Sequence, residues 1–157
     1  MYLYDPITVF SSIDKLWRYS YCHQPAITKW NLSRLAECLI PLIDKDQDKA
    51  IRFATEVINT FEKEYEEKWL SMMRNKLGFL WTDETDKNLL LDLLTWMHQN
   101  KVDYTNTFCN LMNFKIHENT SYEDKDFYNW KKRWQERLST HNNSPKKYIN
   151  LMRRVNP

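Results

Sequence analysis

DQDKAIRFATEVINTFEKEYEEKWLSMMRNKLG, residues 46–78, is the stretch that decides the fold. Its apolar side chains fall at Ala50, Phe53, Ala54, Val57, Ile58, Phe61, Tyr65, Trp69, Met72, Met73 and Leu77. Steps of three and four, with adjacent pairs, are the period of a helix and not the alternation of a strand. The run predicts one long helix, or two with Thr60 capping the second. Gly78 stands where a left-handed residue would end it.

The same period extends in both directions. Upstream, Ile27, Leu32, Leu35, Ala36, Leu39, Leu42 and Ile43 predict a helix over 27–43, with Pro25 at its start and Pro41 ending or bending it. Residues 1–26 read as an irregular lead-in. Downstream, acidic Asp83, Glu84 and Asp86 suit a helix start before the stripe Leu89, Leu90, Leu93, Leu94 and Met97. Asp103 reads as the cap of a short helix through Asn113, followed by a polar loop at 115–121. Phe127, Trp130, Trp134 and Leu138 share one face of a helix over 122–139. Ser144-Pro145 opens a last helix that ends near Val155. The expectation is an all-α bundle of six or seven helices in a single domain, 1–157, with 122–157 as a basic helical tail.

The composition removes several classes of function. The 157 residues include seven Trp and one glycine, Gly78. Phosphate-cradling loops need several glycines so that backbone N–H groups can close on an anion. A Walker loop, a Rossmann turn and a kinase glycine loop are all excluded from this chain. Cys22, Cys38 and Cys109 are odd in number and lack metal-ligand spacing, so they read as reduced packing residues. No apolar run approaches the roughly 18 residues of a membrane span. With no signal-like start, the reading is a soluble, cytoplasmic protein with no membrane partner.

Individual motifs have ordinary readings. Asp44, Asp46 and Asp48 imitate the opening of a calcium loop, but Lys49 and Thr55 stand where it needs Gly and a bidentate Glu. They read as an acidic helix start. His23, His98, His117 and His141 include no pair at helical ligand spacing, which speaks against zinc. Glu62, Glu64, Glu66 and Glu67 read as a solvated face. Residues 1–124 carry 14 Lys/Arg against 19 Asp/Glu (−5), and 125–157 carry 9 against 2 (+7). Lys131, Lys132, Arg133 and Arg137 alternate with Trp130 and Trp134, a pattern that can bind nucleic acid. The four-residue recurrence of the rings favours a core stripe instead, with the charges outside.

Four ordered blocks then give a specific resemblance. Arg18-Tyr19-Ser20-Tyr21, Gln24-Pro25, Trp30-Asn31-Leu32 and Arg34-Leu35-Ala36-Glu37 together resemble the signature segment of the selenoprotein O/YdiU family. Met73-Arg74-Asn75-Lys76-Leu77-Gly78, Asp103-Tyr104-Thr105-Asn106-Thr107-Phe108 and Arg154-Val155-Asn156-Pro157 resemble its later blocks, and Tyr4-Asp5-Pro6 the stretch just upstream. The resemblance implies a pseudokinase-shaped protein that moves AMP from ATP to protein hydroxyls. This chain would be the later part of the kinase-like C-lobe plus a helical extension.

The family's glycine-rich segment, ATP-contacting Lys, catalytic Asp and metal-binding Asn and Asp lie before the matched region. No catalytic, cofactor-binding or metal residue is therefore carried onto this chain, and ATP and magnesium are implied only for the full-length family. Trp17 stands where members usually have Gly, Ser11-Ser12-Ile13-Asp14 replaces their Asn-His-Ser-Asp, and Phe10 replaces a cysteine that pairs with a C-terminal one in some bacterial members. That pairing is not carried over. Trp30, Leu35 and Leu39 are expected in the core, and Arg18 beside a carboxylate. The expected partner is the kinase-like region, another protein, or a second copy meeting it through exposed apolar surface.

Overall fold

A computed structural model describes residues 3–113, 120–140 and 144–156. Six α-helices follow in order: α1 Gln24–Ile43, α2 Gln47–Lys76, α3 Asp86–Gln99, α4 Tyr104–Asn113, α5 Lys125–Ser139 and α6 Pro145–Val155. Short 3-10 turns at Tyr21–His23 and Thr120–Glu123 precede α1 and α5. Among the described residues there is no strand, only an isolated bridge between Leu3 and Asp103. The fold is all-α. The expected loop at 115–121, together with His117, His141 and Pro157, lies wholly or largely outside the described residues.

The helix ends follow local chemistry. The run 46–78 forms one helix, and Thr60 does not cap within it, because its hydroxyl donates to the Val57 carbonyl (2.8 Å). Gly78 has φ +80°. Its N–H donates to Asn75 and that of Phe79 to Arg74, so two carbonyls at the end of α2 are satisfied. A Cβ on Gly78 would stand 3.1 Å from Met152 Sδ and 3.2 Å from Tyr148 Cβ. At the end of α3, Lys101 takes the same left-handed role without being glycine (φ 51°), with Val102 N–H donating to Met97. Pro41 does not end α1, which runs two residues further to Ile43. Asp46 Oδ1 accepts the N–H groups of Asp48 and Lys49, and Asp103 Oδ1 that of Asn106, as acidic caps do.

The chain divides into two compact units, Met1–Asp5 with Trp69–Pro157, and Pro6–Lys68. The first has a true core. α3 packs along α5, and Leu90, Leu93, Met97, Phe127, Trp134 and Met152 are almost fully buried there. Phe127, Trp130 and Trp134 stack in series at 5.8 and 6.1 Å. The Trp130 indole donates to the Leu89 carbonyl (2.8 Å) and that of Trp134 to Leu77 (2.9 Å). Both rings thus bury their area without leaving a polar atom unpaired.

The unit Pro6–Lys68 is built differently. Among its residues only Ser20 and Ala50 are buried. α1 and the facing part of α2 border an open groove of about 630 Å3, bridged by Lys29 and Glu62 at 3.1 Å. Trp30, Leu35 and Leu39, expected in the core, are 47%, 55% and 40% exposed. Helical periodicity thus marked apolar residues of α1 but not their burial.

Candidate functional site

Three of the four blocks that carry the resemblance converge in space. In the unit holding Trp69–Pro157, Lys76 near the end of α2 donates to the Val155 carbonyl (3.1 Å) and Asn156 Oδ1 (3.2 Å). Asn156 answers by donating its Nδ2 to the Lys76 carbonyl (3.0 Å). The Lys76 ammonium also lies over the rings of Tyr104 and Phe108, at 5.6 and 5.3 Å. The Tyr104 hydroxyl points at Met73 Sδ (3.5 Å). Residues 73–78, 103–108 and 154–156 are therefore one clasp. Burial holds the Lys76 ammonium below its usual pKa, while neighbouring Cys109 pulls it back up.

A second constellation lies nearby in the chain. Asp86 is fully buried. Its Oδ2 accepts Arg74 Nε (2.7 Å) and the Asp83 N–H (2.9 Å), and its Oδ1 accepts Arg137 Nε (2.8 Å). Arg137 also donates to the Trp81 carbonyl (2.6 Å) and covers the Phe79 ring at 4.8 Å. This buried anion joins the end of α2, the loop 79–85, the head of α3 and α5. From the sequence Asp86 reads only as a dipole-favoured helix start. Its cationic partners lie 12 and 51 residues away, beyond any local pattern.

The signature segment 18–37 is held by neighbours in its own unit. Asp14 accepts the backbone N–H groups of Tyr19 (2.7 Å) and Arg18 (3.0 Å), and the Tyr19 bond chiefly holds its carboxyl below the usual range. Arg18 thus meets a carboxylate through its backbone, while its guanidinium lies over Trp30 at 4.6 Å. Gln24 donates to the Tyr19 carbonyl (2.7 Å), and Ser20 and the Trp17 carbonyl both meet His23 Nδ1 at 2.9 Å.

Trp17 itself has φ 53°. A left-handed backbone costs a non-glycine residue about 1–2 kcal/mol, which gives a physical reason for the glycine usual there. Trp17→Gly is expected to raise stability by roughly 0.5–1 kcal/mol after the extra unfolded-state entropy of glycine is subtracted. Urea unfolding would measure it. Trp17→Ala, still strained, should show no gain, and equal gains from both would refute the strain.

Asp86 is held by two arginines, and Asp44 by Lys49 and the Asp46 N–H. Among the described residues no three of His, Cys, Asp and Glu come together as a metal site. His98 Nδ1 lies 3.7 Å from Asp5, and Glu62 pairs with Lys29. No helix among the described residues is long and apolar enough to cross a membrane.

The family model described as Protein adenylyltransferase SelO matches residues 1–157. The chain is 54% identical over its whole length to the Protein nucleotidyltransferase YdiU of Pelagibacter ubique, covering 32% of that protein. It is 44% identical over 154 residues to the YdiU of Alcanivorax borkumensis, covering 98% of this chain and 32% of that protein. To the YdiU of Halalkalibacterium halodurans it is 45% identical over 158 residues, again 32% of the relative. The chain thus spans about a third of the length of the curated relatives it matches. The motif blocks that meet at Lys76, together with this full-length match, place the chain in the SelO protein adenylyltransferase family.

Proposed function

We propose that the chain is the helical C-terminal portion of a kinase-shaped protein AMP transferase, and that it supports the nucleotide site without forming one. The observation that carries this reading is the clasp. Around Lys76 the family blocks at 73–78, 103–108 and 154–156 direct polar atoms at one another. The single glycine leaves no phosphate-binding loop. ATP and magnesium would then be held by the other two thirds of the family protein, and AMP would pass to a protein hydroxyl there. Such transfer depends on cations and metal ions positioned around the phosphates.

The unit Pro6–Lys68 supports the same reading. Phe10, Ile13 and Leu16 are each at least 80% exposed, a density of uncovered apolar surface that suits a partner. The kinase-like region is that partner in this proposal, and the compartment is the cytoplasm. The same surface favours a second reading, a stand-alone interaction module that docks on another protein or on its own copy. Nucleic-acid binding by ring stacking has less support, because Trp130 and Trp134 are buried.

Isothermal titration of the 157-residue chain with ATP and magnesium is expected to give no saturable heat. Micromolar affinity would end the proposal. Ultracentrifugation separates the two partner readings: a stable homodimer favours the module.

A further inference from the structure

The head of α5 carries a concave patch. Tyr122, Phe127, Tyr128, Lys131, Lys132 and Gln135 line a cavity of about 230 Å3. Five of these sit at 127, 128, 131, 132 and 135, the i, i+4 and i+8 rows of one helical face. The inner wall is fixed. Tyr122 and Phe127 are buried, meet edge to face at 5.1 Å, and the Tyr122 hydroxyl is 3.0 Å from that of Thr107. The outer wall is Tyr128, 67% exposed.

Among the described residues lining this cavity, both charged side chains are cationic. On the same helix Arg133 is paired with Asp92 (2.8 Å) and Arg137 with Asp86 (2.8 Å). Asp124, at the head of the helix, accepts the Trp96 indole N–H (2.8 Å). Among the described residues Lys131 and Lys132 have no ion-pair partner. Lys131 is half-buried, and that burial holds its ammonium below the usual pKa. A partly dehydrated ammonium without a counter-ion is destabilised, and an anion delivered to it relieves the cost. Aromatic rings line the same cavity as the two lysines, so an anion that carries a ring of its own can meet both kinds of side chain. The volume is below the range typical of drug-sized pockets, roughly 300–1,000 Å3, which fits a single ring with one phosphate.

We propose that this cavity is a binding site for a small aryl phosphate, its phosphate between the ammonium groups of Lys131 and Lys132 and its ring against Tyr128. The site is independent of the nucleotide chemistry proposed above and stands or falls separately.

Phenyl phosphate, inorganic phosphate and phenol, each titrated into the 157-residue chain and followed by NMR shifts of the lysine and tyrosine side chains, test it. Phenyl phosphate is expected to saturate with a Kd of about 1 mM or tighter, and each of the other two to bind at least about tenfold more weakly. Lys131→Met is expected to weaken phenyl phosphate by about tenfold or more, the scale of one charge-assisted hydrogen bond. Lys132→Met, at an exposed position, serves the same purpose should Lys131→Met fold poorly. Tyr128→Ala is expected to abolish the preference for phenyl phosphate over inorganic phosphate. Unsaturable binding, equal affinity for the two phosphates in the unaltered chain, or indifference to both lysine variants would overturn the assignment.

Discussion

Asp86→Ala is expected to destabilise the chain by about 3–5 kcal/mol, the usual cost of breaking a buried ion pair from one side. The loss has a clear origin. Two guanidinium groups, Arg74 and Arg137, converge on one fully buried carboxylate, and removing it leaves like charges facing each other. The Asp83 N–H loses its acceptor as well. At roughly 2–4 °C per kcal/mol for a chain of this size, Tm should fall by about 6–20 °C. Asp86→Asn keeps the shape but not the charge, and should still lose a large part of the stability. Because the site is shielded from solvent, added salt should change these differences little. A loss below about 1 kcal/mol would mean that the pairs behave like screened surface bridges.

Trp134→Ala is expected to cost about 3–5 kcal/mol through the void left at the centre of the α3–α5 packing. Trp134 is the largest of the fully buried side chains, stacked on Trp130 and donating to the carbonyl that closes α2. Trp134→Phe separates the two contributions. It keeps most of the ring packing and strands the Leu77 carbonyl, for a loss of roughly 1–3 kcal/mol. Chemical denaturation of the three proteins side by side gives both numbers. If phenylalanine were as damaging as alanine, the stability would reside in the hydrogen bond and not in the packing.

Much of this architecture was legible in the sequence because its causes are local. The stripe Phe127, Trp130, Trp134 and Leu138 is buried as its spacing predicts. Gly78, Asp103 and Ser144-Pro145 punctuate the helices where they should, although Ser144 makes no side-chain cap bond. What was hidden depends on distant partners. Nothing near Asp86 announces Arg137, and nothing near Lys76 announces Asn156. The order of the four blocks of the resemblance does not reveal that three of them meet. Lys101 was invisible as a helix stop, since the left-handed position is usually signalled by glycine. Trp30, Leu35 and Leu39 misled for another reason. Hydrophobic spacing reports which side of a helix avoids water, and whether something covers that side is written in residues elsewhere.

The bonds between Lys76 and Asn156 join positions 80 residues apart. Closing so long a loop is entropically costly until the intervening helices have already assembled. If they close after α3 and α5 have condensed, Lys76→Met and Asn156→Ala are expected to speed unfolding more than they slow folding, which stopped-flow denaturant kinetics would measure.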